Sequence, residues 1–301
     1  MRIGFTLPQV GPLAHEAAEI ARYAREVEQL GAESLWVFDR LLAPVRPVIG
    51  YNGADSFPPE FDALLDPFIV MAVAANATER VSIGSSILNG AWYPPALLAR
   101  SLTTIDQVSG GRLIPGLGAG WSPDEFEAVG IPLSERGARL DECLDVLEAL
   151  WTTNPAEYHG RYWSLPATRA GLKPVQRPRP PIFLAGFAPA AMRRVARRAD
   201  GWLPGVAPGL WPVDPGAAIA GPMAQIRALA EEQGRDPAEL GMILRVYPTA
   251  AASLEEITTA IVRVRDEAGV DHAFVDLMYQ TKSVDHALEL TGRILDLVRA
   301  A

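Results

Sequence analysis

"GGRLIPGLGAGWSPDEF", residues 110–126, runs an apolar stretch into three alternating glycines, and its reading decides between two α/β folds. An open dinucleotide-binding sheet needs G-x-G-x-x-G where a strand turns into a helix. Counting from Gly116 and Gly118 puts Trp121 at the third glycine position, and counting from Gly118 and Gly120 puts Pro123 there. The spacing rejects a pyrophosphate cradle. The glycines need another reason to stand at the end of a strand.

Outward from this stretch, short apolar runs alternate with 3.6-residue patterns. "RLIPGLG" (112–118) reads as a strand between the helix "PALLARSLTTIDQVSGG" (95–111) and the amphipathic helix "RGARLDECLDVLEALW" (136–151). Upstream stand the strands "RIGFTL" (2–7), "SLWVFD" (34–39) and "VSIGSSIL" (81–88). The helix at 14–31 has Ile20, Ala24 and Val27 on one face and a stop at Gly31. The helix at 66–78 has Asp66 as N-cap and Pro67 in its first turn. Downstream come "PIFLAG" (181–186), "GWLPG" (201–205), "GMILRVY" (241–247) and "HAFVDLM" (272–278). Helical patterns follow them at 188–200, 216–234 (broken at Gly221-Pro222), 253–269 and 283–299. Eight strands, each followed by a helix, predict a (β/α)8 TIM barrel. One domain spans 1–301, with an insertion after strand 2 at 43–65 and an irregular one before strand 5 at 152–180.

The bulk of the chain narrows its function. A net charge of −9 argues against nucleic acid as a partner, and Arg193, Arg194, Arg197 and Arg198 lie on a helical pattern that reads as a solvated face. The single cysteine, Cys143, excludes an internal disulfide and packs in register with Leu140, Leu144 and Leu147. With neither a signal-like apolar segment at the N-terminus nor a run of the ~18 residues a membrane span needs, the expectation is a soluble, cytoplasmic protein. Four scattered histidines, His15, His159, His272 and His286, offer no metal-ligand spacing. No G-x-S-x-G elbow is present. Asp39 with Glu125 could serve as paired carboxylates for glycoside hydrolysis, but either acid could equally form an ion pair, Asp39 with Arg40 first among them.

A barrel of this kind carries its site at the C-terminal ends of its strands. Those ends present Asp39 and Arg40; Ser86, Ile87, Asn89 and Trp92; Gly118, Gly120, Trp121, Asp124 and Glu125; and Gly186 with Phe187. Large aromatics, few polar groups and glycines suit a flat aromatic cofactor approached closely by backbone. The set expected to contact it is Asp39, Ser86, Ile87, Asn89, Gly120, Trp121, Gly186 and Phe187, with Tyr51, Trp92 and Trp121 as substrate-pocket walls.

The segments 34–44, 82–130, 136–151 and 174–202, with "SGGRL" leading into "GLGAGW" and "ADGW" downstream, resemble the luciferase-like monooxygenase superfamily. They are most similar to its coenzyme F420-dependent branch. The resemblance implies a barrel that binds F420 or FMN, commonly as a homodimer, and acts on a small-molecule substrate. It implies a cis peptide between Ser86 and Ile87 behind the deazaflavin ring, with Asp39 near the ring's pyrimidine side. Phosphate would be held by the backbone of Gly186 and Phe187 and by the following helix N-terminus. Lys173, Arg177, Arg179 and Arg193 are candidates for the acidic cofactor tail. The glycines at 116–120 then serve strand-to-loop geometry beside the ring.

The sequence departs from the branch in two places. Arg40 stands where many members have a histidine base, and Trp121 stands where some have a glutamate. An arginine cannot act as a base near neutral pH, but it can hold an anionic substrate or stabilise a reduced deazaflavin. Proton transfer falls to Asp124, Glu125, substrate or solvent, and the sequence does not choose among them. The readings are an F420-dependent oxidoreductase, an FMN-dependent two-component monooxygenase, and a barrel that binds without turnover.

Overall fold

In the computed structural model, which describes residues 1–210 and 213–301, short parallel strands form a closed ring. They are β1 (Arg2–Thr6), β2 (Ser34–Val37), β3 (Ser82–Ser85, resuming at Leu88–Asn89) and β4 (Leu113–Ile114, then Gly116–Gly118). The ring continues with β5 (Phe183–Leu184), β6 (Gly201–Trp202, then Gly205–Val206), β7 (Gly241–Met242, then Leu244–Val246) and β8 (His272–Val275). Each pairs in parallel with the next, and β8 returns to β1, with Arg2 opposite His272 and Phe5 opposite Val275. Every residue of β2 and of β8 is buried, as expected for strands covered by helices outside and packed side chains inside. The fold is the (β/α)8 barrel predicted by the alternation.

Eight helices follow the strands: α1 (Ile20–Gln29), α2 (Pro67–Ala77), α3 (Pro95–Val108), α4 (Arg136–Thr152), α5 (Pro189–Arg198), α6 (Gly221–Glu231), α7 (Leu254–Ala268) and α8 (Val284–Ala300). Their ends show why they start and stop. Asp66 accepts from Ile69 N at 3.0 Å ahead of α2. Ser253 and Glu256 form a reciprocal capping box at α7, which Gly269 closes at φ +66°. α6 begins at Gly221-Pro222 after one wide turn, because a proline fits only the first turn of a helix.

The barrel interior is filled. Trp36, Phe183, Leu203, Ile243 and Phe274 form an apolar plug, with Trp36 stacked on Phe274 at 4.4 Å. Trp36 Nε1 donates to Ser34 Oγ at 2.8 Å, and that oxygen lies 2.7 Å from His272 Nε2. Burial pushes the His272 imidazole down to about 4. Ile87 and Ile114 pack on the plug, so it underlies whatever sits at the rim.

Local structure differs from the sequence reading in four places. Pro115 splits the strand expected at 112–118, since it has no N–H for the ladder. The helix expected over 14–31 starts as a 3-10 segment, Gly11–Glu19, with Glu16 off helical geometry. A short helix, Pro123–Ala128, follows β4. The stretch at 152–180 contains an antiparallel hairpin, Ala156–His159 with Ser164–Thr168. The Glu142 carboxylate of α4 accepts the amides of Arg161, Tyr162 and Trp163 at 2.7–3.0 Å and fixes its turn. Among the described residues, no helix is long and apolar enough to cross a membrane.

Candidate active site

The strand ends surround a cavity of about 550 Å³ with an adjoining lobe of about 250 Å³. Its floor is backbone. The Ser86–Ile87 peptide is cis, as the resemblance implied. The Ile87 side chain lies over Gly118, where a Cβ would stand 1.9 Å from Ile87 Cδ1. A Cβ on Gly116 would stand 1.9 Å from Ser85 O, and Ser85 Oγ donates to Gly116 O at 2.9 Å. Gly120, at φ +72°, turns the chain out of β4 against Asn89. The three glycines let β3 and β4 approach and turn beneath the cavity.

Asp39 stands two residues beyond β2 and is 7% exposed. Its Oδ2 accepts from Asn89 N at 2.9 Å and from the Tyr93 hydroxyl at 3.0 Å. Desolvation pushes its carboxyl up to about 6, against the pull of those two donors. A carboxyl so placed changes charge in the physiological range while lining the cavity.

Arg40 and Glu125 both line the cavity. They form a buried pair, Arg40 Nε to Glu125 Oε1 at 3.3 Å, with side chains 6% and 2% exposed. Glu125 Oε1 also accepts from Leu41 N at 2.7 Å and Leu42 N at 3.2 Å. The Arg40 guanidinium lies 4.5 Å from the Phe57 ring centre, 4.8 Å from Trp121 and 5.5 Å from Phe61. Burial pushes the Glu125 carboxyl up and the guanidinium down, each opposed by the other's charge. Arg40 is thus paired with Glu125 and flanked by aromatic rings while still lining the cavity. Asp39 pairs with Tyr93 and Asn89, and not with Arg40. Asp124 accepts from Val48 N at 3.1 Å and is not among the residues that line the cavity.

Tyr51 and Trp121 line the cavity. Trp92 does not: at 7% exposure it packs against Tyr93 and Phe126 in the core. Its amide donates to Asn89 O at 3.2 Å, closing a turn that carries the ring beneath the rim.

At the opposite end, Gly186 (φ +124°) leads through Phe187 into α5, and a Cβ there would stand 2.6 Å from Ala191 Cβ. The amides of Phe187, Ala188 and Ala190 find no partner among the described residues. Arg136 and Arg194 line the same end. Unpaired amides at a helix N-terminus beside two guanidinium groups fit a phosphate. Three of the four basic candidates lie elsewhere. Lys173 caps carbonyls of Leu150 and Thr153, Arg177 bonds Pro174 O, and Arg179 bridges Glu148 and Asp200.

Arg245 of β7 borders both the cavity and its lobe and was missed from sequence, along with Arg136 and Arg194 as site residues. Its signal was an arginine inside the apolar run "GMILRVY", matched by Asp276 in "HAFVDLM". The two form an ion pair in which Asp276 is fully buried.

The fold is thus a parallel barrel whose C-terminal rim holds a backbone-floored cavity with arginines at one end, where barrel enzymes carry their sites. The chain belongs to the luciferase-like monooxygenase family, whose sequence model matches residues 1–297. An uncharacterised protein of Mycobacterium tuberculosis is 29% identical over 84% of this chain and 82% of its own. An FMNH2-dependent dimethylsulfone monooxygenase of Pseudomonas putida is 34% identical over 60% of this chain and 47% of its own. An F420-dependent glucose-6-phosphate dehydrogenase of Amycolatopsis mediterranei is 28% identical over 67% and 57%. Among solved structures, an F420-dependent secondary alcohol dehydrogenase in complex with an F420–acetone adduct matches with TM-score 0.76, 18% identity and 99% of both chains covered. A monooxygenase of Streptomyces bottropensis matches with TM-score 0.74, 21% identity and coverage of 99% and 97%.

Proposed function

We propose that the protein is an F420-dependent oxidoreductase exchanging a hydride between the deazaflavin C5 position and a small organic substrate. The observation that carries this reading is the extent of the basic end. A groove lined by Arg193, Arg194 and Arg197 continues from the cavity, sharing Ala190 and Arg194 with it. Asp141 pairs with Arg194 and Arg197, while Arg136 and Arg193 have no carboxylate partner among the described residues. A single phosphate, as FMN carries, needs no more than the α5 N-terminus. A phosphate followed by acidic residues would use the arginines beyond it.

When bound, the deazaflavin would supply the redox chemistry, and the chain supplies position and charge. The Ser86–Ile87 and Gly118–Gly120 backbone would support the ring face. Asp39 would hold or release a proton at the ring edge, poised by its burial. The amides of Phe187, Ala188 and Ala190 would hold the phosphate with Arg136, beside Arg194, whose charge Asp141 already shares. The FMN-dependent monooxygenase reading draws support from the dimethylsulfone monooxygenase, which at 34% is more similar than the F420-dependent relative at 28%. A barrel without turnover has no observation of its own. Titration with F420 and FMN in parallel tests the proposal: tight F420 with feeble FMN binding supports it, and the reverse preference overturns it.

A further inference from the structure

The lobe beside the ring floor has a chemistry of its own. It is lined by Tyr51, Trp121, Phe187, Leu203 and Tyr247, with Asn52 and Arg245 among its polar side chains. Two of these aromatics are partly exposed, Trp121 at 38% beside Arg40 and Phe57, and Phe187 at 51% edge-on to Trp202. The lobe shares Ser86, Ile87 and Gly186 with the main cavity, so anything in it lies against the proposed ring seat.

Arg245 is the lobe's only charged lining residue among those described, and it is held rigidly. Its Nε and Nη2 both donate to Asp276 Oδ2. Asp276 Oδ1 in turn accepts from Met278 N at 3.1 Å and Thr6 Oγ1 at 3.3 Å. The guanidinium lies 5.6 Å from the Phe38 ring centre and 5.2 Å from that of Tyr247. Nη1 finds no partner among the described residues, and the side chain, 18% exposed, lines the lobe.

We infer that this lobe is a substrate subsite for a neutral, planar, conjugated carbonyl compound whose oxygen is recognised by Arg245 Nη1. The identification as a substrate site rests on the proposed function; the ligand chemistry rests on the lobe alone. Arginine only donates, so the ligand must present an acceptor. Asp276 already neutralises the guanidinium, so a carboxylate ligand would meet that fixed negative charge, and a cation would meet the arginine. Partly exposed aromatic rings favour a flat, conjugated partner.

Calorimetric titration with 2-acetonaphthone, 2-naphthoate and 2-ethylnaphthalene tests this on the full chain without cofactor. The ketone is expected to bind about tenfold or more tightly than either comparator, the effect of one hydrogen bond to a charged donor. R245M alone strands a buried carboxylate, so the double variant R245M/D276N is the probe. It should weaken the ketone about tenfold and leave the hydrocarbon within about twofold. F187A, at a partly exposed position, should weaken ketone and hydrocarbon together and checks the location independently. Naphthoate binding tighter than the ketone, unchanged ketone affinity in the double variant, or indifference of both ligands to F187A overturns the inference. F420 binding without ketone binding sinks this inference and leaves the function standing, whereas ketone selectivity without F420 binding does the opposite.

Discussion

Asp39 joins fold and proposed chemistry at the residue scale, because its burial has a consequence for stability. Its folded pKa of about 6 lies above the ordinary carboxyl value of 3.8, so the folded state binds the proton more tightly than the unfolded chain. The stabilisation is fully present below the unfolded value and is lost as pH rises through about 6, an effect of at most about 3 kcal/mol. Urea melts of wild type and D39N should show the wild-type advantage falling between pH 4 and pH 6; a constant difference across that window would contradict the assignment. Gly186 carries a second prediction. At φ +124°, with Ala191 Cβ in the way, G186A should lose about 1–3 kcal/mol of stability and most cofactor affinity, read by thermal melting and titration. Asp39, Ser86 and Gly120 were legible in the sequence because strand ends can be counted. Trp92 packs in the core on Phe126 after a turn at Asn89, and turn direction is not written in composition. Arg245 was overlooked because its partner, Asp276, lies 31 residues away.

At the scale of elements, the insertion after β2 is fastened by the short helix Pro123–Ala128. Glu125 holds Arg40 and the amides of Leu41 and Leu42, while Asp124 holds that of Val48. E125A leaves a buried guanidinium unpaired, a loss of about 3–5 kcal/mol. Its first local sign should be faster thermolysin cleavage before the exposed Ile49, with R40M/E125M recovering much of the protection. Cleavage of E125A at the wild-type rate would show that the pair fastens nothing. The regular helices were readable from periodicity and caps. The hairpin at 156–168 was not, because one carboxylate from α4 sets its turn across 19 to 21 residues of sequence.

Over the whole molecule, the alternation of eight strands and eight helices was enough to predict closure, since the failed glycine spacing had removed the open-sheet alternative. Charge distribution was less legible: the chain carries −9, yet its proposed anion end is basic. At about 0.15 M salt, screening over about 8 Å leaves that local patch to dominate the repulsion of the rest. R193S/R197S should therefore weaken F420 binding several-fold and flatten its salt dependence, with FMN affinity unchanged; an equal loss for both ligands would remove the case for a polyanionic tail. The most direct measurement is the parallel titration of the wild-type protein with F420 and FMN at fixed ionic strength. Micromolar or tighter F420 binding, about a hundredfold or more ahead of FMN, is the predicted result. FMN binding as tightly as F420, or more tightly, would contradict the F420 assignment.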